Sequence, residues 1–230
     1  MLGLTPDELT AVHLSLRVAA WATLTSLPLG LAVALLLARG RFWGHSLLNV
    51  LVHLPLVLPP VVTGYMLLLL LGRRGPLGQF LEQTFGIVVA FRWTGAVIAS
   101  AVMGFPLLVR AIRLSLESVD RRLEDAARTL GANRLWVFLT VTLPLVLPGV
   151  VAGMILCFAK SLGEFGATIT FVSAIPGETR TLPAAIYSLT QVPGGEAGAL
   201  RLTLVAMALA MLALLASEIV ARRVAARVVE

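Results

Sequence analysis

From Ser46 to Leu71 the chain carries no formal charge, and this run restricts its fold more than any other feature. A helix needs about 20 mostly apolar residues to cross the hydrocarbon of a bilayer. Four further runs meet that length. The first covers about 11–38, the charge-free one 46–71, the third 91–112 and the last 199–221. The fourth has two placements: hydropathy alone puts it at 135–159, whereas its prolines favour 147–172. With 58% hydrophobic and 13% charged residues in 230, the chain lacks the charge to coat a soluble surface. The expected class is all-α: a polytopic membrane protein with five spans in one domain at 10–221, and a tail at 222–230.

The pI of about 10.9 suggests nucleic acid at first sight. Lys160, however, is the sole lysine among 18 basic residues, and the arginines border the apolar runs instead of forming one patch. A bilayer interface puts them there, so no nucleic-acid partner is expected. Cys157 is a single cysteine without a His or Cys neighbour at ligand spacing, so neither a disulfide nor a metal site is expected. Asp7 and Glu8, with no basic residue before them, do not make a signal peptide, and the first run is expected to stay as a span.

Basic residues set the orientation. With the N-terminus outside, Arg39, Arg41, Arg110, Arg113, Arg121, Arg122, Arg128, Arg134, Arg222, Arg223 and Arg227 face the cytoplasm. Arg73 and Arg74 run against this bias, which otherwise favours N-out and C-in. Between spans three and four, Leu116, Val119, Leu123, Ala126, Ala127 and Leu130 recur at helical spacing with charges between them. An amphipathic helix is therefore expected on the cytoplasmic face, ending at Gly131, where a glycine accepts the left-handed backbone. Periodicity alone leaves it as either a lipid-surface helix or a docking element.

The fixed positions in this stretch are Asp125-Ala126-Ala127, three residues, Gly131, nine residues, then Val141-Thr142-Leu143-Pro144. They resemble the EAA loop of ABC importer permeases, with Asp125 and Val141 replacing Glu and Ile. The resemblance implies a coupling loop at 114–144 that inserts into a cytoplasmic ATPase subunit. Glu124, Asp125, Ala126, Ala127, Arg128 and Gly131 are its expected contact residues. The chain has no Walker A lysine, since Lys160 follows Ala159 in an apolar segment, so ATP and Mg belong to the partner.

Longer stretches resemble the molybdate importer permease family: HLPLVLPPVVTGY (His53–Tyr65), FPLLVRAIRLSLESVD (Phe105–Asp120) and SLGEFGATITFVSAIPGETRTLPAAIY (Ser161–Tyr187). Sulfate and tungstate permeases are similar but less close. The resemblance implies a type I importer fold in a bacterial inner membrane, a homodimeric pore and two ATPase copies. It also implies a periplasmic binding protein that delivers molybdate, and no cofactor on this chain. An ATPase-independent channel or secondary transporter is the rival class, which the EAA loop disfavours.

Pro144 and Pro148 are expected to break a helix and shift the fourth span inward, bringing Lys160 and Glu164 toward the bilayer centre. Lys160, Glu164 and Thr168 are four apart, so one face is expected to carry them. With Ser161 they are expected to line the translocation path, Lys160 supplying charge for a dianion and Glu164 tempering it. The alternative is an i, i+4 pair that neutralises itself. Pro55, Pro59 and Pro60 predict a kink that is either a gate or a fixed bend. His53 beside them reads as a hydrogen-bonded structural residue.

Overall fold

The computed structural model describes residues 3–229, without the side chains of Ser217 and of residues 220–229. All regular structure among them is helical. The tail arginines used for orientation lie outside the described side chains, although the helix backbone continues to Val229. Thr5 starts the first helix, α1 (Pro6–Arg39), by accepting a bond from the Glu8 N–H on its hydroxyl while the Thr5 N–H donates to the Glu8 carboxylate. This reciprocal box satisfies two N–H groups that a helix start leaves unpaired. At 1.5 Å per residue its 34 residues span about 51 Å, more than the hydrocarbon thickness.

The charge-free run is two helices, α2 (His45–Val57) and α3 (Pro60–Leu71), bent by 114°. The break follows from the Leu58-Pro59-Pro60 sequence. A residue before proline is driven out of the helical region, and Leu58 adopts φ −70°, ψ 143°. Pro60 then opens α3, where its missing N–H costs nothing. The expected kink is present, but it is too sharp for one straight span over 46–71.

Next come α4 (Pro76–Phe85), α5 (Trp93–Ser118) and α6 (Arg121–Thr129). The third apolar run thus continues as helix past position 112. The amphipathic helix is shorter than its periodicity suggested, because the chain breaks at Val119 and Asp120 caps α6 by accepting a bond from the Arg122 N–H at 2.9 Å.

The fourth run corrects the expectation drawn from its prolines. The chain is helical from Arg134 to Leu162, through α7 (Arg134–Val137), a π segment (Phe138–Thr142) and α8 (Leu143–Leu162). The Leu143 N–H bonds the Phe138 carbonyl five residues back. This wider turn directly precedes Pro144, whose ring would otherwise press on the carbonyl four residues earlier. The helix ends at Gly163, and α9 (Gly166–Val172), α10 (Leu182–Thr190) and α11 (Glu196–Val229) follow. Among the described residues four helices are long and apolar enough to cross a membrane, five if the bent pair counts as one.

Helix α5 is the hub, packed between α1 and α8. Its Leu108, Val109, Ile112 and Leu116 are fully buried against Ala34, Leu37, Val146 and Val150. Lipid tails are as apolar as leucine, so contact density, and not escape from solvent, holds such helices together. Small residues permit it: a Cβ on Gly149 of α8 would collide with Ser115 of α5. Outward, Leu204, Met207, Met211 and Leu214 of α11 stay exposed, as on a helix facing an apolar medium.

Candidate functional site

Two neighbourhoods gather the chemistry-bearing residues, one at each end of α8. At the first, α6 presents most of its surface outward: Arg121, Arg122, Leu123, Asp125, Ala126, Arg128, Thr129 and Leu130 are exposed, and Leu130 is 89% so. Gly131 turns the chain away with φ +87°, the left-handed conformation expected from the sequence.

Glu124 points the other way. It is buried, and its Oε1 accepts from Arg39 Nη2 at 2.8 Å and from Thr142 Oγ1 at 2.9 Å. Arg128 stands 3.9 Å from its other oxygen. Glu124 therefore fastens α6 to the end of α1 and to the π segment, while Asp125 pairs with Arg128 at 3.1 Å in solvent. The acidic doublet is divided between an anchor and an exposed contact. Sequence reasoning missed Arg39 and Thr142; the available signals were the position of Arg39 at the same end as α6 and of Thr142 inside the Val-Thr-Leu-Pro motif.

At the other end of α8, Lys160 Nζ donates to Glu164 Oε2 at 2.7 Å. The Glu164 side chain is 1% exposed and that of Lys160 31%. The same carboxylate accepts from the Ala167 N–H at 3.0 Å through Oε1, so it caps α9 while neutralising the last turn of α8. Because the helix is interrupted between Gly163 and Phe165, Thr168 does not continue the face of Lys160 and Glu164. Its hydroxyl donates to the carbonyls of Glu164 and Phe165. Ser161 is buried and donates to the Ser100 carbonyl at 3.2 Å. Of the four proposed path residues, Lys160 alone keeps a partly exposed polar head.

This break abuts the other one. A Cβ on Gly166 would lie 2.7 Å from Pro60 Cβ, and one on Gly64 would meet the Ala167 carbonyl oxygen at 2.5 Å. Pro60 at the start of α3 and the start of α9, just past the charged end of α8, are thus brought together, although the sequence separates them widely. Pro55 lines a separate apolar cavity of about 490 Å³ with Thr25, Ser26, Val52 and Phe105. A third pair also escaped the sequence reading: Arg201 Nη2 donates to buried Glu8 at 2.8 Å, joining the starts of α1 and α11. Among the described residues no group of His, Cys, Asp and Glu is placed to hold a metal. Cys157 is buried without a disulfide partner.

The family described as "Binding-protein-dependent transport system inner membrane component" matches residues 26–226. The molybdenum transport system permease protein ModB of Escherichia coli is 62% identical over 219 residues, covering 95% of this chain and 96% of that one. The sulfate transport system permease protein CysT of Salmonella typhimurium is 39% identical over 182 residues, covering 79% and 65%. The fold also matches a bacterial ABC transporter involved in alginate import, with TM-score 0.75 at 16% identity over 96% of this chain and 81% of the other. At that identity the likeness concerns the fold alone. The chain belongs to the binding-protein-dependent permease family, and its fold is that of the membrane subunits of ABC importers.

Proposed function

We propose that this family member is the membrane subunit of an ATP-driven molybdate importer, with hydrolysis carried out on a separate subunit. The observation that carries the reading is 62% identity, over nearly the full length of both chains, to a molybdenum permease. The relative named for sulfate is less similar at 39%, which favours molybdate among the tetrahedral dianions. The exposed face of α6 is the ATPase contact, held rigid by Glu124 from behind. Ala126 and Ala127 permit close approach, and Asp125 and Arg128 supply the charged rim. The working unit is a homodimer in the bacterial inner membrane with two ATPase copies. The N-terminus lies outside, facing a periplasmic binding protein. Lys160, Ser161, Glu164 and Thr168 mark the translocation path, with Lys160 as the group that meets the anion. Pro59 and Pro60 form the bend beside it, and Pro55 lies within α2 ahead of that bend.

Uptake of labelled molybdate and sulfate, in cells stripped of their own systems and supplied with the cognate partners, tests the substrate. Molybdate is expected to enter faster and to require ATP. Faster sulfate entry overturns the substrate, and a tagged chain that purifies without an ATPase yet conducts overturns the importer reading.

A further inference from the structure

Helices α2 and α5 enclose a cleft of about 330 Å³ lined by Asn49, His53, Arg110, Arg113, Leu114 and Glu117. The spacing explains the grouping. Asn49 and His53 are one turn apart on α2, while Arg110, Arg113, Leu114 and Glu117 follow one stripe of α5. Arg113 is held on two sides, Nε donating to Glu117 at 2.7 Å and Nη1 to Asn49 at 2.9 Å. His53 shares Nδ1 with the Asn49 carbonyl at 2.8 Å; a carbonyl only accepts, so Nδ1 carries the proton. Arg110 has no hydrogen-bond or ion-pair partner among the described residues, and it is exposed to the cleft. Counting Glu117 against Arg113, the cleft keeps one uncompensated positive charge, on a planar fork suited to paired oxygens.

The cleft lies toward the α6 end of α5. Arg110 is eight residues before Ser118, hence about 12 Å along the axis from the break that leads into α6. Lys160 belongs to the opposite end of α8. Passage of an ion through a low-dielectric path favours successive weak sites over one strong one, and this cleft is placed to offer a site beyond Lys160.

The geometry points to an oxyanion-binding cleft between α2 and α5, in which Arg110, steadied by the Arg113–Glu117–Asn49 arrangement, takes a tetrahedral oxyanion at the coupling end. That chemistry is shared by the transported dianion and by a lipid phosphate. The assignment of the first source rests on the importer reading above; the cleft does not.

The full chain with its ATPase, reconstituted in phosphatidylcholine vesicles, is treated with phenylglyoxal, and modification of Arg110 is followed by peptide mass spectrometry. Sodium molybdate at ten times its half-effect concentration should slow the modification by about tenfold, with sodium chloride at equal ionic strength inert. Arg74, exposed between α3 and α4 and away from both the cleft and α6, serves as the internal control and should react equally in both. If molybdate fails but phosphatidylglycerol in the vesicles protects, the cleft holds a lipid phosphate and transport through it is refuted. If neither protects Arg110 more than Arg74, the site is overturned. Arg110→Gln should lower molybdate uptake about tenfold, the loss of one charge-assisted contact, with Arg110→Lys between. Equal uptake by wild type and Arg110→Gln removes the cleft from the path. Uptake by the wild-type complex in the same vesicles reports separately on the importer reading, so the two can fail independently.

Discussion

Glu124 and Glu164 are both buried carboxylates hydrogen-bonded to one cation each, yet they are held in opposite ways. Glu164 takes Lys160 from its own segment, four residues back, and caps the helix that follows. Glu124 takes Arg39 from a helix 85 residues away and Thr142 from the π segment. The first pair is a local device that lets charge sit inside an apolar region. The second is a tertiary bolt that fixes the orientation of α6 against α1 and the π segment. In the proposed roles, a coupling element that transmits force is served by an anchor reaching across to other helices, whereas a pore residue needs a charge that one local neighbour can moderate.

Breaking the bolt gives the largest expected effect. Glu124→Ala leaves Arg39 without its partner, and removing one member of a buried pair costs about 3–5 kcal/mol. Molybdate uptake and ATPase co-purification should both collapse, while an Arg39→Met, Glu124→Leu double variant should recover expression better than either single change. Wild-type ATPase retention in Glu124→Ala would show that the anchor is dispensable.

The local pair comes next and separates its two readings through a cycle. If Lys160 and Glu164 only neutralise each other, Lys160→Met with Glu164→Gln should restore the uptake that each single variant loses. If Lys160 meets the anion, the double variant assembles with its ATPase and remains inactive, which is the outcome expected here. Scintillation counting of uptake with an assembly blot distinguishes them.

Two smaller effects belong to the exposed side of α6. Gly131→Ala puts a Cβ on a residue at φ +87°, so thermal stability should drop by about 1–2 kcal/mol, with reduced ATPase binding. Asp125→Asn removes a solvent-exposed pair worth less than about 1 kcal/mol to the fold. Its effect should appear only as weaker, less salt-sensitive ATPase association in a pull-down titration. A large stability loss there would place Asp125, not Glu124, in the anchor.

The residues differ in how readable they were. Periodicity marked α6, and Gly131 its end, because both depend on neighbours within one turn. The Lys160–Glu164 pair followed from i, i+4 spacing for the same reason. The extension of that face to Thr168 failed, since spacing presumes an unbroken helix and Gly163 ends this one. The prolines misled in one place and informed in another. At Leu58-Pro59-Pro60, consecutive rings exclude the helical backbone, whereas at Pro144 a π turn absorbs a single ring and the helix runs on.

By itself the sequence determined the solvent, the long apolar runs, the motif resembling the EAA loop and the family, because each is written in composition or in short-range spacing. The tertiary structure decided which carboxylate anchors and which faces outward, that the two helix breaks abut, and that Arg110 shares a cleft with His53 and Asn49. Those depend on how α1, α2, α5 and α8 cross. Crossing is set by small-residue contacts such as Gly149 on Ser115, summed over many weak van der Waals terms. No local pattern encodes that sum, so it became visible only once the helices were packed.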